Sequence, residues 1–157
     1  MRRLGTAVVA VSLLLVACSG DTTSTTTPSG VTTTTAASQT PGTIVVTLAD
    51  VDANTMLLTP SPATAPVGEV TFEVTNSGTQ EHEFVVIQSD LALDDLPFDD
   101  AADEVIEDDV TVVDEIAGLM PGETKTLTVT LAEGTYALIC NLEGHFRMGM
   151  RSSFTVG

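Results

Sequence analysis

At 157 residues the chain has room for one domain plus targeting and linker sequence. Five basic residues stand against 22 acidic ones, a formal charge of −17, which argues against nucleic-acid binding and against electrostatic adhesion to anionic lipid. The same acidity permits a basic protein partner and keeps an exported domain soluble.

Met1-Arg2-Arg3 is a short positive region, followed by an apolar run from Ala7 to Ala17 that only Ser12 interrupts. Such a run is too short for a bilayer core, which needs roughly 20 residues, so residues 1–17 read as a signal peptide. Its end, Leu15-Val16-Ala17-Cys18, resembles the lipobox of bacterial lipoproteins. That resemblance implies that Cys18 is lipidated and becomes the first residue of an extracytoplasmic protein held to the cell membrane by its acyl chains. Loss of Arg2 and Arg3 leaves Lys125, Arg147 and Arg151 against 22 acids, a formal −19. Residues 18–42 then form a tether rich in Thr and Ser. Val31 is its one sizeable aliphatic, so it buries too little apolar surface to offset the entropy of ordering. As a flexible coil it holds the domain on the order of 25 Å from the membrane.

Residues 43–157 are expected to fold as one all-β domain, enough chain for a β-sandwich core. Runs rich in β-branched residues recur at 43–48, 55–58, 69–75, 83–87, 124–131, 135–140 and 153–156. Turns are marked by Asn76-Ser77-Gly78, Pro121-Gly122 and Glu133-Gly134. In the run 124–131, Leu127, Val129 and Leu131 share one face, the alternation of a half-buried sheet. No alternation of helix and strand suggests a parallel α/β fold. Met56 and Met120 read as ordinary core or turn residues.

One stretch departs from this pattern. Between Asp90 and Asp109 there are ten acids and no base, with Leu91, Leu93, Leu96, Phe98, Val105 and Ile106 spaced irregularly among them. It reads as an acidic excursion with short helical turns that lays a few apolar residues on the core and presents carboxylates to water. The spacing of an EF-hand loop is missing.

The chemistry lies near the C-terminus. With Cys18 taken by lipid, Cys140 is a lone thiol in an oxidising compartment, where cysteines normally pair. Intermolecular pairing, an inert buried thiol and metal ligation are the options. Its surroundings favour the third: Cys140, His145 and Met150 fall within eleven residues, and His82, the other of the two histidines, stands at the mouth of an upstream strand. A thiolate, imidazoles and a thioether form a soft sulfur and nitrogen set that suits copper better than calcium or magnesium. Met148 lies two residues from Met150 and competes with it for the inward position.

In order and spacing, residues 43–157 are similar to the cupredoxins, the blue copper proteins of the plastocyanin, amicyanin and auracyanin group. The matching features are Asn76-Ser77-Gly78 ahead of His82, then Cys140, His145 and Met150 with four residues between successive members, and Gly149 before Met150. The resemblance implies a Greek-key β-sandwich and one type 1 copper ion. It makes His82, Cys140 and His145 the strong ligands and Met150 the weak axial one. Two departures stand out. Glu143-Gly144-His145 replaces a common Pro-Gly-His, which predicts a less rigid loop. Glu83 occupies the place of a common Asn, where it can reach the backbone at Asn141 or lower the potential as a nearby negative charge.

The function implied is single-electron transfer between redox protein partners, basic ones being compatible with the charge, by a monomer that is not an enzyme. Copper enzymes of this kind need further metal centres, and two histidines cannot build them. His145 is the expected exit for the electron, within an apolar patch of Leu142, Phe146 and Met148. Copper delivery without electron relay, or a copper-free structural lipoprotein, are the competing readings.

Overall fold

A computed structural model describes residues 42–157 of the chain. The expected signal peptide, Cys18 and the expected tether up to residue 41 lie outside the described residues. Eleven strands follow in order: β1 (Thr43–Asp52), β2 (Thr55–Ser61), β3 (Thr64–Ala65), β4 (Gly68–Asn76), β5 (His82–Gln88), β6 (Phe98–Asp99), β7 (Glu104–Val105), β8 (Thr111–Leu119), β9 (Thr124–Leu131), β10 (Gly134–Ile139) and β11 (Arg151–Val156). A four-stranded sheet runs β2-β1-β4-β9 and a five-stranded sheet runs β3-β11-β10-β5-β8. The expected Greek-key β-sandwich is therefore the fold. Among the described residues no helix is long and apolar enough to cross a membrane.

Alternation builds the core. In β1, Ile44, Val46 and Leu48 are buried, as are Val70, Phe72 and Val74 in β4 and Leu127, Val129 and Leu131 in β9, because successive side chains of a strand point to opposite faces. They meet Phe84, Val86, Tyr136, Leu138 and Phe154 of the other sheet. Phe72 joins the two layers, its ring 5.2 Å from Phe84 and 5.4 Å from Phe154, tilted or edge-on to each, arrangements aromatic quadrupoles favour.

The five-stranded sheet is apolar on both faces. Val85 and Ile87 of β5 and Ala137 and Ile139 of β10 point away from the sandwich and form a second cluster with Leu96, Val105 and Phe146. The acidic excursion covers this outer face. It consists of 3₁₀ turns at Leu93–Asp95 and Glu107–Asp109 flanking the small β6–β7 hairpin. The expected short helical turns are present, and the apolar residues among the acids pack on the outside of a sheet.

Strand β8 had no counterpart in the sequence reading. It is an edge strand paired to β5 with two register shifts, and Asp114 and Glu115 are exposed. Carboxylates at consecutive positions directly after an acidic run mask its alternation. The two remaining methionines divide: Met56 is buried and Met120 is half exposed at the β8–β9 turn.

Candidate metal centre

The site lies where β5 begins and β10 ends. β4 finishes at Asn76, whose fully buried side chain shapes the turn that follows. Its Nδ2 donates to the carbonyls of Gln80 and Leu119, each at 2.8 Å, and its Oδ1 accepts from the Gly78 amide. That turn delivers His82 as the first residue of β5, with no exposed surface. On the adjacent strand, Cys140 follows Ile139 and its side chain continues the inward series of Tyr136 and Leu138.

From Cys140 the chain runs through a tight loop and returns to β11. Cys140 and Met150 close it, the Cys140 amide donating to the Met150 carbonyl at 3.0 Å, while the Met150 amide donates to the carbonyl of His145. Gly149 is required where the loop passes the β1–β2 hairpin: a Cβ there would lie 2.8 Å from the Met56 carbonyl oxygen, and its φ is +107°, a backbone conformation that glycine adopts without penalty.

Three ligand atoms converge as a result. His82 Nδ1 lies 3.2 Å from His145 Nδ1, and Cys140 Sγ lies 3.4 Å from that same nitrogen. Nδ1 or Nε2 of each histidine and the thiol sulfur all fall within 4.8 Å of one another, and all three residues are buried. Met150 is also fully buried, whereas Met148 is only partly so and packs against the core. Two imidazole nitrogens and a thiol crowded into one buried spot are a poor arrangement for a metal-free protein. They fit one type 1 copper ion, a cation bound by two imidazoles and a thiolate.

Neighbouring groups orient these ligands. The Glu83 amide donates to Cys140 Sγ at 3.3 Å, and Glu83 Oε1 accepts from the Asn141 amide at 2.7 Å, one of the two roles its position suggested. Sequence reading missed Asp50, whose Oδ1 lies 2.8 Å from His82 Nε2. The signal was present: Ile44, Val46 and Leu48 are core-facing alternate positions of β1, and Asp50 is the next in that series.

Electrostatics follow from burial. It pushes the Cys140 thiol up to about 11, so in the metal-free protein the sulfur holds its proton at neutral pH. Burial, reinforced by His82, holds His145 below the ordinary histidine range, leaving a neutral imidazole. Burial also raises Glu83, against the Asn141 amide and with help from Glu107, Glu115 and Glu104. Asp50 goes the other way: burial works to raise it, but hydrogen bonds from Thr79 and His82 prevail and hold it below the usual carboxylate range.

The loop expected to be less rigid is clamped along one flank by the excursion. The Gly144 amide donates to the Asp103 carbonyl at 3.0 Å. Asn141 Oδ1 accepts from the Val105 amide at 2.7 Å, and its Nδ2 donates to the Val105 carbonyl and to Glu107. Arg147 pairs with Asp100 and Asp103 and lies over the Phe98 ring, and Arg151 pairs with Asp94 and lies over Phe146. The expected apolar patch around His145 needs correction here. Phe146 is 4% exposed, drawn under the excursion against Phe98 and Leu96, so only Leu142 and Met148 are left partly exposed beside His145.

The family described as copper binding proteins, plastocyanin/azurin family, matches residues 45–157. No curated protein sequence matches. Among solved structures, reduced auracyanin from the photosynthetic bacterium Roseiflexus castenholzii aligns at 22% identity and a TM-score of 0.52, covering 74% of this chain and 97% of its own. An azurin from the obligate methylotroph Methylomonas sp. strain J aligns at 20% identity and 0.52, covering 73% of this chain and 97% of its own. Rusticyanin from Thiobacillus ferrooxidans aligns at 21% and 0.50, covering 75% and 79%. At these identities the likeness shows the fold alone.

Proposed function

The chain belongs to the plastocyanin/azurin family of copper-binding proteins, and from that membership we propose that it is an extracytoplasmic one-electron carrier, tethered by a lipidated Cys18. The observation that carries this reading is the convergence of His82, Cys140 and His145 at one buried point. Proteins of this family are generally electron carriers rather than enzymes, and this chain is read as a carrier too.

Copper supplies the Cu(I)/Cu(II) couple, and the chain's own residues supply geometry. His82, Cys140 and His145 would hold the ion, with the buried Met150 as a further, weaker donor. A mixed nitrogen and sulfur set would suit neither oxidation state fully, so little would need to move between them. Buried surroundings exclude water, and the Glu83 amide stabilises negative charge on the sulfur. His145 is the exit for the electron, flanked by Leu142 and Met148. Redox protein partners take it up there, the strongly acidic surface favouring basic ones, and the carrier acts as a monomer. The signal peptide and the lipobox support the tether, which incorporation of labelled fatty acid into wild-type protein but not into Cys18→Ser would establish.

The test is addition of Cu(II) to the purified protein. An intense blue thiolate band with reversible reduction is the expected result, lost in Cys140→Ser. Met150→Leu keeps the colour and shifts the midpoint potential, whereas Met148→Leu shifts neither. Colourless, tight Cu(I) binding would instead indicate copper delivery, and no binding would remove the copper reading.

A further inference from the structure

Asp50 is an acid where an aliphatic residue belongs. It continues the core-facing series Ile44, Val46, Leu48 of β1, and its side chain is 11% exposed. Burying a carboxylate costs several kcal/mol unless donors surround it, and here they do. A register shift between Asp50 and Asp52 interrupts the β1–β2 pairing, the kind of irregularity that can re-aim a side chain. Oδ2 accepts from the Thr79 amide at 2.5 Å, the Thr79 hydroxyl at 3.0 Å and the Gln80 amide at 3.2 Å. Oδ1 is left for His82 Nε2 at 2.8 Å.

The turn is built to admit this carboxylate. A Cβ on Gly78 would lie 2.8 Å from Asp50 Cγ and from both of its oxygens, so only glycine allows the approach. Asn76 pins the same turn from the buried side. His82 is thus held between a fixed turn and a fixed acceptor.

We propose that Asp50 is a positioning residue of the copper site, holding His82 as the tautomer protonated at Nε2, with its Nδ1 lone pair aimed at Cys140 and His145, and favouring Cu(II) over Cu(I). The physical grounds are two. A carboxylate can only accept from Nε2, so the proton stays on the outer nitrogen and Nδ1 is free to ligate before any metal arrives. Its negative charge sits one imidazole away from the point where His82, Cys140 and His145 converge, where it would raise the basicity of the ligand and stabilise the more highly charged ion. Asp50 acts through its contact with His82.

This inference rests on the copper reading above, and its test separates the two. In the metal-free protein, nitrogen NMR of the two imidazoles should show His82 protonated at Nε2 at neutral pH. A His82 protonated at Nδ1 overturns the proposal, whatever the protein does with copper. In Asp50→Asn the acceptor oxygen is kept and the charge is lost. Cu(II) affinity should fall about 10–100-fold, the range for losing a partner of a metal-bound histidine, with Cu(I) affinity falling less and the midpoint potential rising. Equal losses of Cu(I) and Cu(II) affinity with an unchanged potential would mean that Asp50 merely supports the turn, and would overturn the proposal. Thr79→Val, which removes one hydroxyl contact to Asp50 and none to His82, should leave potential and spectrum unchanged. Failure of the wild type to bind copper would instead strike the functional reading and leave the tautomer result standing.

Discussion

Cys140 ties the stability of the metal-free protein to alkaline pH. Its thiol is fully buried, and its pKa rises from 9.0 to about 11, chiefly because burial disfavours the thiolate, with the nearby Glu83 carboxylate adding to the rise and the Glu83 and Leu142 amides opposing it. Above pH 9 the unfolded chain gives up a proton that the folded chain keeps. The stabilisation is therefore fully present below pH 9 and is lost as pH rises toward 11. Two pKa units set a limit of roughly 3 kcal/mol, most of which is gone by pH 11. Urea denaturation of the metal-free, reduced protein from pH 7.5 to 11, set against Cys140→Ala, isolates this contribution. Between pH 9 and 11 the wild type should lose stability relative to the variant at about 1 kcal/mol per pH unit at most. A flat difference would mean that the thiol is already ionised in the folded state, and the account of its environment would fail.

Three further expectations follow from the same contacts. Because the metal-free thiol is protonated and a metal-bound sulfur is a thiolate, Cu(II) loading between pH 7.5 and 9.5 should release about one proton per ion, measurable by an indicator dye in weak buffer. Glu83→Gln keeps an acceptor for the Asn141 amide but removes a charge beside the ligands, so the midpoint potential should rise; an unchanged potential and spectrum would leave Glu83 without a role in tuning. Asn141→Ala strands the Val105 amide and carbonyl that its side chain satisfies, at a cost of about 2–4 kcal/mol in chemical denaturation, whereas Arg147→Ala, with its side chain 51% exposed, should cost under about 1 kcal/mol.

The ligands were legible because their residue types are scarce. With two histidines and two cysteines in the chain, the lone Cys140, the ligand spacing and the resemblance to the cupredoxins together pointed to His82, Cys140 and His145. Most strands were legible because β-branched residues alternate along them. Asp50 was not, although the alternation from Ile44 to Leu48 points to it, because its meaning depends on a partner 32 residues away and on a register shift that no local pattern announces. Phe146 was misjudged for a related reason. Adjacency to His145 placed it at the surface, but in a tight loop neighbours diverge, and Phe146 turns to the outer face of the sheet. That the five-stranded sheet has an apolar outer face was itself written in β5, where Phe84, Val85, Val86 and Ile87 are all apolar and all buried, a continuous run that a sheet with one wet face does not carry.

That outer face changes the meaning of the acidic excursion. Ten acids without a base suggest a solvated loop, yet the segment lies along the ligand loop and grips it at Asn141, Gly144, Arg147 and Arg151. Two of the three basic residues among the described residues are spent there, Arg147 against Asp100 and Asp103 and Arg151 against Asp94. Each such exposed pair contributes little by itself. Their value lies in orientation, since each guanidinium also covers an aromatic ring, Arg147 over Phe98 and Arg151 over Phe146, and the two rings lie 5.7 Å apart. The ligand loop, which lacks the proline common in its relatives, is thus stiffened from outside, while Asp50 stiffens His82 from the opposite sheet. A site that must change charge with little movement needs ligands fixed by their surroundings, and here that fixation comes from an acid at the end of β1 and an acidic segment between β5 and β8.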